Sequence, residues 1–232
     1  MKEKTPHIQI MFGLFLFAML AIHKNTLLAD QYTPLKDPGW VGFDLKGLTC
    51  SGLVGGFGPW DYTNPGHRKE KLPVVTQFHF SKEVESLSKG TTGPIAMDID
   101  YTLRAFPNHH RALYAMMRYQ LKTPHPVNAQ YAPIECYFQR AMAFKPDDYR
   151  VMQLYANYLV KKDQPKMAID IYKRALNINN APVDINYALG ILYCDLKELD
   201  KAVEQAKIVY GAGFKKTKLA RKLKEANRWP IK

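Results

Sequence analysis

The sequence predicts an all-α protein: a solenoid of helix-turn-helix repeats preceded by an irregular arm rich in glycine and proline. Three observations predict it. First, Leu159 and Tyr193, Ala156 and Gly190, Ala168 and Ala202, Tyr172 and Ala206, and Ala175 and Val209 are each 34 residues apart, and Phe138 and Ala141 lie 34 before Tyr172 and Ala175. Second, from Ser81 onward apolar residues recur at helical spacing between turn signals. Third, residues 30 to 72 hold eight glycines and four prolines with little periodicity. The length of 232 residues, with 47% apolar and 23% charged, suits a folded chain with a continuous core and excludes disordered and collagenous classes. Three cysteines are too few for a disulfide scaffold.

Taken in order, residues 1 to 29 read as a signal peptide or an amino-terminal membrane anchor. Lys2 and Lys4 precede the apolar run Ile8 to Ile22, which only Gln9 interrupts. A run of 15 residues is short for a membrane span, which needs about 20. It fits the core of an export signal, with Ala29 before Asp30 as the cleavage candidate and the bulky Leu27 at −3. Either reading places the rest of the chain outside the cytoplasm, in the periplasm or on the extracytoplasmic side of a membrane. Residues 30 to 78 form the arm. Its glycines Gly52, Gly55, Gly56 and Gly58 lack the Gly-Lys-Ser/Thr that grips phosphate, so the arm is expected to lay Phe57, Trp60 and Tyr62 on a core.

Residues 79 to 107 read as a degenerate helical pair, with Ser81 as an N-cap, Gly90 as a stop, and a second helix from about Ile95 to Phe106 ended by Pro107. Asn108 is placed to cap the next helix. Residues 108 to 216 then carry about three repeats. The best unit is Tyr149 to Pro182, with Ala156, Leu159, Ala168, Tyr172 and Ala175 in register, followed by Val183 to Lys216 with Leu189, Gly190, Tyr193 and Ala202. The earlier unit holds Ala115 and Ala141. Leu113-Tyr114-Ala115 precedes Leu154-Tyr155-Ala156 by 41 residues, so a loop is inserted around Thr123 to Pro126. Residues 217 to 232 form a basic capping helix and tail, with Leu219, Leu223 and Ala226 on one side.

A 34-residue unit with small residues at helix contacts and an aromatic in its second helix resembles the tetratricopeptide repeat family. The resemblance covers 108 to 216 well and 79 to 107 weakly, and it departs from the family where Ala206 replaces the bulky aromatic, where thinner packing is expected. It implies a superhelix that binds a protein or peptide on the face formed by the first helix of each unit. Carried over by position, that face comprises His109, Ala112, Met116, Tyr119, Arg150, Gln153, Asn157, Asp184, Tyr187 and Ile191. Small residues at Ala156 and Gly190 let paired helices approach, and each pair needs its neighbours to bury its apolar side.

Catalytic and metal chemistry finds little support. No Gly-x-Ser-x-Gly, Cys-x-x-Cys or Gly-x-Gly-x-x-Gly is present, so no enzyme and no cofactor are expected. Asp98, Asp100, His109 and His110 form the alternative, a metal-dependent site. Adjacent histidines on a helix point about 100° apart and no His-x3-His spacing occurs, so a helix-entry or partner-facing role is expected for His109 and His110, with His109 near the surface. For the cysteines, export with an odd count leaves at least one unpaired or paired between chains. Cys136 and Cys194 lie nearly two repeats apart, beyond the roughly 7 Å reach of a disulfide. Cys194 reads as a small buried apolar residue.

The net charge of +12 is concentrated at the carboxy-terminal end, where Lys215, Lys216, Lys218, Arg221, Lys222, Lys224, Arg228 and Lys232 face Glu225 alone. Nucleic acid is not an expected partner, because no reading face of spread arginines and aromatics is evident. A solvated cap or contact with an anionic surface through Lys215, Lys218, Arg221, Lys222 and Arg228 is expected, with Trp229 at the boundary. Together these readings describe an exported adaptor for assembly or maintenance of an envelope complex, with a self-assembling structural subunit as the other binding alternative.

Overall fold

The computed structural model describes residues 36 to 126 and 129 to 229; the leader expected over 1 to 29 lies outside them. Among the described residues the protein is all helical, with one isolated antiparallel bridge between Phe43 and Thr49. The helices are α1 (Pro65–Glu70), α2 (Leu72–His79), α3 (Lys82–Ser86), α4 (Ile95–Ala105), α5 (His110–Lys122) and α6 (Ile134–Phe144), followed by α7 (Tyr149–Lys161), α8 (Pro165–Leu176), α9 (Asp184–Asp195), α10 (Leu199–Gly211) and α11 (Lys218–Glu225).

The carboxy-terminal half is a helix-pair solenoid. Helices α7 and α8 pair densely, as do α9 and α10; α8 stacks on α9, and α11 closes the end against α9 and α10. The register residues explain the closeness. Ala115, Ala141, Ala156, Ala168, Ala175 and Ala202 are fully buried, Gly190 is buried, and Tyr172 fills a core position. A Cβ on Gly190 would lie 2.8 Å from Leu219 Cδ2 and 3.1 Å from Gln205 Cβ, so the cap occupies the space that the glycine leaves. Ala206, where thinner packing was expected, is fully buried in the same cluster as Leu219 and Leu223 of α11.

Toward the amino terminus the pairing loosens. Helices α5 and α6 touch sparingly, and they are joined where Gln120 bonds Ala132 O at 2.9 Å and Ile134 N at 2.8 Å. Two helices, α1 and α2, lie in the segment expected to be an irregular arm. Asn64 accepts from Gly66 N and His67 N while Pro65 stands in the first turn, a strong helix start that the surrounding glycines obscure. Ser81 caps α3 as expected, accepting from Val84 N. The helix stops at Ser86, ahead of the expected Gly90, because Leu87 turns left-handed at φ 66°.

Two expectations about single residues, the surface position of His109 and the capping role of Asn108, are corrected. His109, expected near the surface, is 2% exposed, boxed in by the rings of Tyr62, Phe80 and Phe106. It is also the cap of α5, its Nδ1 accepting from Ala112 N at 3.1 Å, while Asn108 turns inward to other work. Cys50 and Cys136 form a disulfide with Cα atoms 5.5 Å apart; its arm partner cannot be read from repeat spacing. Cys194 is free and buried.

The rest of the arm is clamped along α6. Arg140 donates to both oxygens of Asp37 at 3.0 and 3.1 Å and to Leu103 O at 2.9 Å, beneath the Trp40 ring. Glu135 accepts from Leu45 N at 3.0 Å and from the Tyr158 hydroxyl at 2.9 Å, joining arm, α6 and α7. Trp60 is buried as expected and Tyr62 half-buried, while Phe57 stays partly exposed.

Candidate partner-binding face

The face expected to bind a partner divides in two. On α5 it is closed: Ala112 and Met116 are fully buried, His109 is boxed in, and Tyr119 is half-buried against Tyr131. Along its middle α5 presents Arg111 and Tyr114 outward, Tyr114 being 48% exposed, with Arg118 half-buried on the same stripe. Arg111 pairs with Glu85, and Arg118 reaches Glu85 O at 3.4 Å and Ser86 O at 3.5 Å, so this stripe holds the end of α3. The signal that would have found it is the pair of arginines seven residues apart, a solvated stripe at helical spacing.

On α7 and α9 the face is open. Arg150 is exposed, and Gln153, Asn157, Asp184, Tyr187 and Ile191 are half-buried. Arg150 stacks on its neighbour Tyr149, with the guanidinium 5.6 Å from the ring centre. Asn157 Oδ1 accepts from the Tyr172 hydroxyl at 2.6 Å, and burial, followed by the charge of Asp184, raises the Tyr172 pKa. One oxygen of Asp184 is buried without a hydrogen-bond partner among the described residues. Tyr187 Oη accepts from Lys218 N at 3.2 Å.

The proposed metal set is not gathered. Asp98 accepts from Thr91 N and Thr92 N and meets His79 Nδ1 at 3.0 Å; despite the cost of burial, hydrogen bonds from Thr92 and His79 hold its pKa below the usual carboxylate value. Asp100 turns elsewhere, to the Tyr137 hydroxyl and Arg104 Nε, and burial raises its pKa. Burial, then the neighbouring His110, pushes His109 down to about 3, so it stands neutral as a cap. His110 Nε2 lies 2.8 Å from Asp148 Oδ2. Among the described residues no group of three or more His, Cys, Asp or Glu is placed to hold a metal.

A polar node joins the arm to the repeats. Asn108 Nδ2 donates to Asp61 at 2.8 Å and Asp148 at 3.1 Å, and its Oδ1 accepts from Tyr62 N at 2.9 Å. Asp148 also caps α7 through Arg150 N and Val151 N. Burial opposes the charge on Asp61, but hydrogen bonds from Thr63 and Asn108 prevail and lower its pKa. Every carboxylate here is occupied with structure.

The basic tail is partly neutralised. Lys222 lies 2.5 Å from Asp195, Arg228 pairs with Asp200, and Arg221 lies 3.9 Å from Glu225 in its own helix. Lys215 and Lys218 are exposed with no ion pair among the described residues. Among those residues no helix is long and apolar enough to cross a membrane.

No family model matches the chain, and no curated protein matches it. A solved structure described as the crystal structure of MamA protein is 16% identical, covers 71% of this chain and 98% of its own, and superposes at a TM-score of 0.44.

Proposed function

We propose that this protein is a protein-binding scaffold, exported or membrane-anchored, that holds a partner in an envelope complex on the open face of α7 and α9. The observation that carries the reading is the contrast on the first helices: His109, Ala112 and Met116 on α5 are buried by the chain itself, whereas Gln153, Asn157, Asp184, Tyr187 and Ile191 are only half-buried. Aromatics beside amide and carboxylate groups suit recognition of an extended backbone with anchoring side chains. The disulfide between Cys50 and Cys136 supports an oxidising compartment.

The test is affinity capture from envelope extract with the parent chain and with Gln153→Ala/Asn157→Ala/Ile191→Ala. A partner held by the parent, lost by the triple variant and kept by Met167→Ala on α8 supports the reading. A partner held equally by all three overturns it.

A further inference from the structure

We propose that the connection between α10 and α11, with Tyr187 and Phe214, forms a cationic docking site for an acidic peptide segment of a protein partner. It rests on the scaffold reading and adds the partner's chemistry. The connection does not lead away from the repeats; it crosses α9. Phe214 packs 5.1 Å from the Tyr187 ring, and Lys218 N donates to Tyr187 Oη at 3.2 Å. Tyr210 fixes the other side, its hydroxyl donating to Lys216 O at 3.0 Å and accepting from Ala220 N at 2.9 Å. Two tyrosines therefore pin a short segment that carries Lys215, Lys216 and Lys218.

These three lysines differ from the remaining tail bases. Lys222 and Arg228 spend their charge on Asp195 and Asp200, whereas Lys215, Lys216 and Lys218 are exposed and have no acidic partner among the described residues. The Lys216 ammonium lies 5.9 Å from the Tyr187 ring centre and 5.7 Å from that of Phe214, so charge and aromatic surface share one place. Asp184 lies one turn before Tyr187 at the start of α9 and is half-buried. Three lysines on a pinned backbone, one of them with its ammonium against two half-buried rings, complement carboxylates alternating with apolar side chains. A flat lipid surface would engage the outward bases Arg221 and Lys224 of α11 equally, and it has no use for a half-buried aromatic pair.

The experiment measures fluorescence anisotropy of a labelled peptide in which Asp and Glu alternate with Leu, and of its Asn/Gln counterpart, against the purified full chain at low and high salt. The expected result is salt-dependent binding of the acidic peptide alone. Lys215→Gln/Lys216→Gln/Lys218→Gln weakens it at least tenfold with an unchanged melting temperature, and Arg221→Gln/Lys224→Gln weakens it less than threefold. Equal binding of the two peptides, or equal weakening by the two charge variants, overturns the proposal. So does sedimentation with phosphatidylglycerol vesicles that both variants abolish, which assigns the lysines to lipid. If capture through Gln153, Asn157 and Ile191 persists while the acidic peptide fails, this inference falls and the scaffold reading stands; the reverse pattern removes the scaffold reading instead.

Discussion

The two halves of the molecule solve the same packing problem by different means. From α7 to α11, helices approach through alanines and one glycine, and burial of small apolar side chains holds the array. From the arm to α6, the helices are splayed, and the joints are a disulfide, buried carboxylates with named donors, and rings packed around a capping histidine. A regular repeat can rely on shape alone, because each unit presents the next with the same surface. An irregular start needs directional bonds to fix where each segment goes.

The largest effect expected from breaking this contrast is loss of the covalent joint. Closing an 86-residue separation is worth about 4.5 kcal/mol in the chain-entropy treatment, so Cys50→Ala/Cys136→Ala should lower unfolding stability by up to that amount. Hydrogen exchange should show the loss in residues 36 to 64 and α6, with α8 to α10 retaining protection. Uniform loss of protection would mean the halves are not separate units.

Next in size is overpacking of the regular half. Gly190→Trp must displace Leu219 and Gln205, and Ala168→Trp strikes a fully buried contact, each costing about 3 kcal/mol or more. Thermal melts should show both variants severely destabilised. A Gly190→Trp variant that melts like the parent would remove Leu219 from its place over the glycine.

The third test concerns pH and belongs to the irregular half. His109 titrates near 6.5 when unfolded and at about 3 when folded, so within that interval the unfolded chain binds the extra proton. Stability should therefore fall by about 1.4 kcal/mol per unit as pH drops from 6 to 4, and be restored above 6.5. Asp61 and Asp98, held low, lose their contribution only below the ordinary carboxylate range, and Asp100, held high, acts with the opposite sign just above it. His109→Asn keeps a capping oxygen but cannot titrate; its urea midpoints should show one proton less of pH dependence over this window.

The smallest effect should come from the tail pairs. Lys222→Gln and Arg228→Gln each break a largely solvent-facing ion pair and should cost under about 1 kcal/mol, less in high salt, by urea denaturation. A larger loss would show that charge, and not Leu219 with Leu223, seats α11.

What could be read from the sequence follows the same division. Helix α7 begins at Tyr149, where the best repeat begins, and Ala156, Ala168, Tyr172 and Ala175 are buried as the 34-residue register requires, because repeat contacts are local and recur. His109 does stand at a helix entry as expected, but its burial was missed for the opposite reason. Its surroundings, Tyr62 and Phe80, come from segments 47 and 29 residues away with no periodic relation to it. The arm's attachment through Arg140, Asp37, Glu135 and Cys136 is likewise a set of long-range pairings that no helical period encodes. At the candidate face, the family resemblance pointed to Gln153, Asn157 and Tyr187 along with His109, but could not show that the rings of Tyr62, Phe80 and Phe106 enclose His109 on α5.

The cross-link also has a topological consequence. Cys50 and Cys136 close a covalent ring through α1 to α5, and the segment from Thr123 to Pro133 lies inside that ring. A single proteolytic cut in that segment leaves two polypeptides that stay tethered, so the cleaved molecule runs as one band without reductant and as two with it. The amino-terminal segments can thus be severed from the repeats in sequence while remaining their permanent companion.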